Sequence, residues 1–291
     1  MIALIHLTRR GRAAGLLFAA LLAVAPVSLR ADAESMPERT LRQIGERQKA
    51  LLADLAQEGD NLDEESMRSQ LQELCHEYEL LLGQSPNFAA AYASYGYLLG
   101  KIDMRRESMA MLLKANQLDP DIPLVKNQLG NYLAEEGKPL EAVNYYLSAI
   151  KLEPKEPLYH YQLGTLLYEA RDDFLKQGVY SQATLEAAMH EAFKQAAELA
   201  PDRIEFTYRY AESFYDQTNP DWDQALAAWS ALEAKTKSPL EQQEYRLHRA
   251  NIRIKQGRFD DARALLGTVT VAELDKQKQK LVAQLPENAK K

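Results

Sequence analysis

Three prolines spaced by 34 residues constrain this chain more than any other feature of its sequence. Pro86, Pro120 and Pro154 are separated by two equal intervals, and Pro201 follows 47 residues after Pro154. Within each interval apolar residues recur every three or four positions, a pattern typical of α-helices that bury one face. Self-similarity at this period indicates stacked supersecondary units, because no single unit could bury its apolar face alone.

Each interval contains two helical segments joined by a short turn. A small residue in the first segment is matched by another small residue twelve positions later, and two small residues let a pair of helices approach closely. The matched pairs are Gly96 with Ser108, Gly130 with Ala142, and Ala250 with Ala262. We therefore expect each interval to fold as a tightly packed helical hairpin.

Glycine and proline mark the ends of these helices. Gly137 and Gly257 lie in two of the turns, where a left-handed conformation is expected, and Asp103 takes the equivalent place in the first unit. Pro123, Pro157 and Pro239 are suited to the first turn of a helix, since proline has no backbone N–H to leave unsatisfied.

With these residues in place, the sequence resembles the tetratricopeptide repeat family, whose unit is a 34-residue helix–turn–helix. The resemblance implies an all-α fold, a right-handed α-solenoid with capping helices at both ends. The implied units are 89–122, 123–156, 157–203 with an insertion near 170–187, 204–237 and 243–270. Arg246, Arg249 and Arg253 occupy positions in the last unit that the family usually makes apolar.

The segments that flank the repeats are expected to cap them. Residues 34–86 predict an N-terminal helical hairpin before the solenoid of 87–270, and residues 271–291 predict a capping helix and tail. Thr270 and Glu273 have the spacing of a capping box, which predicts a helix that runs to about Leu285. A polar-backed terminal helix is what a solenoid needs for solubility.

Residues 1–33 have the pattern of a secretory signal peptide. Arg9, Arg10 and Arg12 precede an uncharged stretch over 13–29, and Ala31-Asp32-Ala33 matches a cleavage site. We expect cleavage after Ala33 and a periplasmic or secreted mature protein. An uncleaved N-terminal anchor is the alternative, although the densest apolar part is shorter than the ~20 residues of a membrane span.

Composition excludes several functional classes. Lys and Arg number 35 against 42 Asp and Glu, so the chain is acidic, which argues against a nucleic-acid binder. The one cysteine, Cys75, is expected to be a buried thiol, and the four histidines after residue 33 lie in different units. We therefore predict no metal, no cofactor and no enzymatic activity.

A binding groove is implied by the family's arrangement, in which the first helix of each unit lines a concave face. The residues at the groove positions are Tyr97, Asn127, Asn131, Glu135, Tyr161, Tyr168, Glu169, Tyr208, Glu212, Tyr215 and Asp216. This set is aromatic and acidic, and it lacks the basic residues with which the family clamps a C-terminal carboxylate. It predicts a protein or peptide partner that is basic or rich in Tyr and Pro. Packing of individual tyrosines between helices is the alternative for each of them.

The insertion has two interpretations. Phe174, Val179 and Tyr180 could form an exposed apolar tip that makes a second contact, or the segment could be a plain extended hairpin.

Three functions follow from the groove, the chain ends and the insertion. The first is an adaptor or assembly factor of the cell envelope that binds through its groove. The second is a self-assembling scaffold that uses its terminal helices or the hairpin. The third is an accessory domain of an enzyme complex. The oligomeric state stays open.

Overall fold

The computed structural model describes residues 34–57 and 64–286, and within these ranges the chain is all-α with no strand. The proposed signal peptide, residues 1–33, lies outside the described residues. The helices are α1 Met36–Gln57, α2 Glu64–Gln84, α3 Ala89–Lys101, α4 Arg105–Leu118, α5 Pro123–Glu135, α6 Pro139–Leu152, α7 Pro157–Glu169, α8 Arg171–Lys176, α9 Gln182–Leu199, α10 Ile204–Ser213, α11 Trp222–Lys235, α12 Pro239–Lys255, α13 Phe259–Gly267 and α14 Asp275–Val282. Short 3₁₀ turns cover Phe214–Asp216 and Ala272–Leu274.

The chain divides into two compact units, one up to Leu129 and one from Gly130 onward. The first unit is built on the helices α1 to α4, whose apolar faces form one core that includes Leu74, Tyr78 and Leu98. Helices α3 and α4 approach so closely at their small residues that the Ser108 hydroxyl donates a hydrogen bond of 2.6 Å to the carbonyl oxygen of Gly96.

Apolar clusters follow one another along the second unit. One joins α6, α7, α8 and α9, another joins α10, α11 and α12, and a further one joins α12 to the C-terminal segments. Successive helices therefore bury their apolar faces mainly against near neighbours in sequence, which is the packing of helical repeats.

The predicted helix ends are confirmed. Gly137 and Gly257 adopt φ values of 72° and 73°, and Asp103 adopts 62° in the equivalent turn. Because Asp is among the few residues that tolerate this region, the first turn forms without glycine. Pro123, Pro157 and Pro239 each begin a helix.

The prediction that Phe174 is exposed at the hairpin tip is wrong. Phe174 is 0% exposed, because α8 folds back and places the ring in the cluster that contains Leu185 and Phe193. Tyr180 packs edge-on against it, with ring centroids 5.6 Å apart, and only Val179 of the predicted tip is well exposed, at 53%.

The predicted capping box at Thr270 is also not formed. The backbone N–H groups of Thr270 and Val271 instead donate to the Oε1 atom of Gln243 on α12, at 2.6 and 2.9 Å. The terminal helix α14 therefore starts later than predicted, at Asp275, after a 3₁₀ turn that begins at Ala272.

The three arginines of the last repeat pair with acidic neighbours on α11 and α13. Arg246 Nε lies 2.6 Å from Glu233, Arg249 also bonds Glu233, and Arg253 lies 3.9 Å from Asp261. Their aliphatic stems occupy the helix interfaces while their charged ends reach a partner at the rim. This arrangement explains how positions that are usually apolar accept arginine.

Candidate functional site

Helix α7, helix α10 and the 3₁₀ turn that follows α10 bring Tyr168, Arg209 and Asp216 together at the surface of the second unit. The Arg209 guanidinium lies 4.3 Å from the ring centroid of Tyr168 and 4.3 Å from that of Phe193, which is fully buried. Both terminal nitrogens of Arg209 contact one oxygen of Asp216 at 3.1 Å. Tyr168 is 42% exposed, so it covers the guanidinium while presenting its outer face to solvent.

Tyr161 lies about two turns before Tyr168 on α7 and contacts α10. Its ring centroid is 4.7 Å from that of Phe206, and its side chain is close to Glu205. Burial and the Glu205 carboxylate together raise the pKa of Tyr161 to about 12, so the hydroxyl stays protonated near neutral pH. Tyr161 is thus a half-buried aromatic surface with a hydroxyl able to donate.

Tyr208 and Glu212 continue this face along α10. The Tyr208 ring packs edge-on against Trp229, with centroids 5.1 Å apart, and burial raises the pKa of its hydroxyl. Burial also raises the pKa of Glu212, and the nearby Asp216 and Glu244 carboxylates raise it further against the opposing effect of Arg209. Within the described residues Glu212 forms no ion pair, whereas Asp216 is held by Arg209.

Tyr215 closes the face against α12. Its hydroxyl lies 3.3 Å from the carbonyl oxygen of His248 and 3.4 Å from His248 Nδ1. The His248 ring stacks flat on Trp229, with centroids 3.8 Å apart and an interplanar angle of 5°. Burial lowers the pKa of His248 to about 4, so the imidazole is neutral under ordinary conditions.

We call the set of Tyr161, Tyr168, Tyr208, Arg209, Glu212, Tyr215 and Asp216 the aromatic–acidic cluster. Six members of this cluster were predicted to line the groove. Tyr168 is exposed, and the other five are partly buried. Each tyrosine ring packs on a neighbouring helix and still contributes to the surface, and that these residues line a binding groove stays a prediction.

Asn131 is held in one orientation by two donors. The Tyr146 hydroxyl and the Gln162 amide both donate to its Oδ1 atom, at 2.7 and 3.0 Å. The side-chain carbonyl is thereby satisfied, which leaves the NH₂ group as the available end of Asn131. Glu135 and Glu169 are exposed at the ends of α5 and α7.

Two predicted groove residues, Tyr97 and Asn127, lie in the first unit. Asn127 is 0% exposed, and neither polar atom of its amide has a hydrogen-bond partner among the described residues. The prediction that Asn127 faces an open groove is therefore wrong, because packing encloses its side chain completely. Tyr97 is partly exposed, with Lys101 Nζ 5.2 Å from its ring centroid, and burial raises the pKa of its hydroxyl.

Sequence reasoning missed Arg209, which is the basic centre of a surface predicted to be acidic. The signal was present, because Arg209 and Asp216 are seven residues apart and so lie on the same side of α10 and its continuation. Glu205, Glu244 and His248, which lie close to members of this surface, were missed as well.

The described residues contain no group of three or more His, Cys, Asp or Glu side chains that could hold a metal ion. None of the helices described here combines the length and the apolar character that crossing a membrane requires.

Comparisons with known proteins agree with this architecture. The tetratricopeptide repeat family model matches residues 125–156, which nearly coincide with the second implied unit. The structure is similar to YrrB, a TPR protein with an unusual peptide-binding site, at a TM-score of 0.54 and 15% identity over 72% of this chain and 93% of that one. It is also similar to the Pseudomonas aeruginosa pilF protein, at a TM-score of 0.55 and 15% identity over 86% of this chain and 100% of that one. No curated protein matches. The fold is thus all-α and TPR-like.

Proposed function

We propose that this protein is an exported, non-enzymatic interaction module that binds a protein or peptide segment on its aromatic–acidic cluster. A TPR-like fold implies a protein or peptide partner. The observation that carries the proposal is the convergence of Tyr161, Tyr168 and Tyr208 with Glu212 on adjoining helices. Tyrosines supply large, rigid contact area together with a hydroxyl group, a combination favoured at interfaces.

The charges of the cluster favour a basic partner segment. Asp216 is neutralised by Arg209, but Glu212 is half-buried without an ion pair in the described part of the chain and lies near Glu244. A Lys or Arg side chain placed there would relieve the repulsion between these two carboxylates and could stack on a tyrosine ring. Asn131 supports an extended backbone on the same unit, because its NH₂ group can donate to a peptide carbonyl.

Capture from native envelope extract tests the proposal. The mature chain 34–291 is immobilised beside a Tyr168→Ala/Glu212→Gln variant, and the bound proteins are identified by mass spectrometry. Tyr168 is preferable to Tyr208 as a target, because Tyr208 also packs on the buried Trp229 and its loss would damage the core. A Glu198→Gln/Leu199→Ala variant is the matched control, with one exposed acid and one exposed apolar residue on α9.

A partner that is retained by the wild type and the control, and lost from the cluster variant, supports the adaptor function. Equal capture in all lanes contradicts it. Self-association alone would favour the scaffold alternative, in which terminal helices or the hairpin make the contacts. The accessory role in an enzyme complex would require the captured partner to be an enzyme.

We further propose export directed by residues 1–33, which places the module in the periplasm or outside the cell. The support is the arginine-rich start, the uncharged stretch and the Ala31-Asp32-Ala33 site. Mass spectrometry of the protein recovered from cell fractions should give Glu34 as the N-terminal residue in the soluble envelope fraction or the medium. An intact N-terminus in the membrane fraction would instead indicate an uncleaved anchor.

A further inference from the structure

A buried carboxylate connects the inserted hairpin to the cluster. Glu186 on α9 is 6% exposed and accepts two hydrogen bonds from Thr218, in the loop that follows α10. The Thr218 backbone N–H donates to Oε2 at 2.7 Å, and the Thr218 hydroxyl donates to Oε1 at 2.9 Å. Arg171 Nη2, on α8, lies 3.7 Å from the same carboxylate. Burial by itself raises the pKa of Glu186, but the two Thr218 bonds, a hydrogen bond donated by Gln182 Nε2 and the charge of Arg171 together lower it, so the group is ionised near neutral pH.

A second bond from α9 holds the other end of the same segment. His190, one turn after Glu186, places Nδ1 2.8 Å from the hydroxyl of the buried Ser213. The Ser213 hydroxyl itself donates to the carbonyl oxygen of Tyr210 at 2.7 Å, so it must accept from His190. The imidazole therefore carries its proton on Nδ1.

Residues 213–218 are thus tied to α9 at both ends. Between the two ties lies the 3₁₀ turn Phe214–Asp216, which contains two members of the aromatic–acidic cluster. Asp216 reaches Arg209 from this turn, and Tyr215 reaches His248. Displacement of the turn would separate both pairs at once.

We propose that the inserted hairpin is a brace for the binding face, with Glu186 and His190 as positioning residues. The insertion supplies Arg171 and the start of α9, and without it the chain would lack both the buried carboxylate and its counter-charge. This role differs from a docking tip, which the burial of Phe174 already disfavours. The inference rests on the proposed function only where binding is concerned, since the tie itself can be tested without a partner.

The chemistry of the site suits a positioning role better than a purely stabilising one. A buried ionised carboxylate carries a large desolvation cost, and an apolar side chain of similar size is often no less stable. The carboxylate does, however, fix a backbone N–H and a hydroxyl in one geometry, which an apolar group cannot do.

Hydrogen exchange of the Thr218 amide tests the brace directly. Glu186→Leu should accelerate exchange at Thr218 and its neighbours by at least about tenfold, because a hydrogen bond to a charged group is stronger than one between neutral groups. Glu186→Gln should restore most of the protection, since its carbonyl can accept from the N–H and its NH₂ can donate to the hydroxyl. Lys176→Ala, an exposed substitution in the hairpin, is the control and should leave exchange unchanged.

The outcomes separate this inference from the proposed function. Faster exchange confined to 213–218 in Glu186→Leu, with α12 and α13 unchanged, supports the brace whether or not any partner is captured. Unchanged protection at Thr218, or an equal rise across all helices, overturns it. If the wild type captures a partner, Glu186→Leu should weaken that capture while Glu186→Gln retains it. Undiminished capture by a variant with a freed turn also overturns the positioning role.

Discussion

At the scale of single residues, the repeat depends on glycines that have no room for a side chain. A Cβ atom built on Gly96 would lie 2.9 Å from Leu112, and one on Gly130 would lie 2.8 Å from Tyr146. Both partners are sixteen positions on, one helical turn beyond the small residue expected to face the glycine. A Cβ atom on Gly164 would lie 2.8 Å from Phe193, which is 29 positions on. The 13 positions beyond the usual sixteen match the length of the insertion.

Gly130→Ala should destabilise the protein by about 1–3 kcal/mol, because the added methyl group forces the Tyr146 ring to move within a packed interface. Urea unfolding of the purified chain measures the change in free energy. Gly45→Ala is the matched control, since nothing lies within 4 Å of a Cβ at that helical position and alanine favours helix by about 0.5–1 kcal/mol. Equal stability of the two variants would contradict the proposed packing.

His248 should make stability depend on pH. The pKa of His248 is lowered to about 4 in the folded protein, against about 6.5 for an exposed histidine. Above pH 6.5 both states are neutral and the stability is complete; as the pH falls towards 4, the unfolded state takes up the proton first. The free energy of unfolding should therefore decrease over this window, by on the order of 3 kcal/mol.

His248→Phe isolates this contribution, because a phenyl ring can still stack on Trp229 but cannot be protonated. Urea unfolding of both proteins between pH 4 and 7 should show a smaller loss of stability on acidification in the variant. Parallel curves would mean that His248 is not buried in its neutral form. Other titrating groups are common to both proteins, so the difference between the curves reports on His248 alone.

At the scale of helices, sequence periodicity predicted the elements well because proline and glycine fix local backbone geometry. Pro123, Pro157 and Pro239 begin helices, and Gly137 and Gly257 end them, as expected. The failures are tertiary. Nothing local distinguishes Phe174 as buried, because its burial depends on α8 folding back onto α9. In the same way, Thr270 loses its capping role to Gln243, which lies 27 residues earlier in the chain.

The site was less predictable than the helices for the same reason. Helical spacing identified Tyr168 and Tyr208 as members of one face, but it could not show that Arg209 lies between two rings contributed by α7 and α9. Asn127 has the spacing of a groove residue and is nevertheless enclosed. Position in a repeat therefore indicates direction from the helix axis, whereas exposure depends on the size of the side chains opposite.

The ion pairs of Glu233, which join α11 to α12, should contribute more to the free energy of unfolding than the ion pair of an exposed acid. Its side chain is 16% exposed and pairs with Arg246 and Arg249, so Glu233→Ala leaves two partly buried cations without it. We expect a loss of about 1–3 kcal/mol in urea unfolding. Glu198→Ala removes an exposed partner of Lys194 and should cost under about 0.5 kcal/mol. Similar losses in both variants would refute the specific role of Glu233.

At the scale of the whole molecule, stability is distributed among successive cores. The core of α1 to α4 contains Leu74, and the C-terminal core contains Leu247, Leu266 and Val269; within the described residues the two cores share no member. In a chain whose repeats contact mainly their neighbours, stability is approximately a sum of local terms, so opening at one end need not expose the other.

A reciprocal pair of substitutions tests this distribution. Leu74 and Leu266 are each nearly fully buried, at 1% and 2% exposed, and their replacement by alanine should cost about 2–5 kcal/mol locally. Leu74→Ala should accelerate amide exchange in α2 and α3 while α12 and α13 keep their protection, and Leu266→Ala should do the reverse. If either variant accelerated exchange equally at both ends, the chain would unfold as one cooperative body. Amide exchange at Thr218 in the Glu186 variants would then report on opening of the whole chain rather than on the local contacts of Glu186.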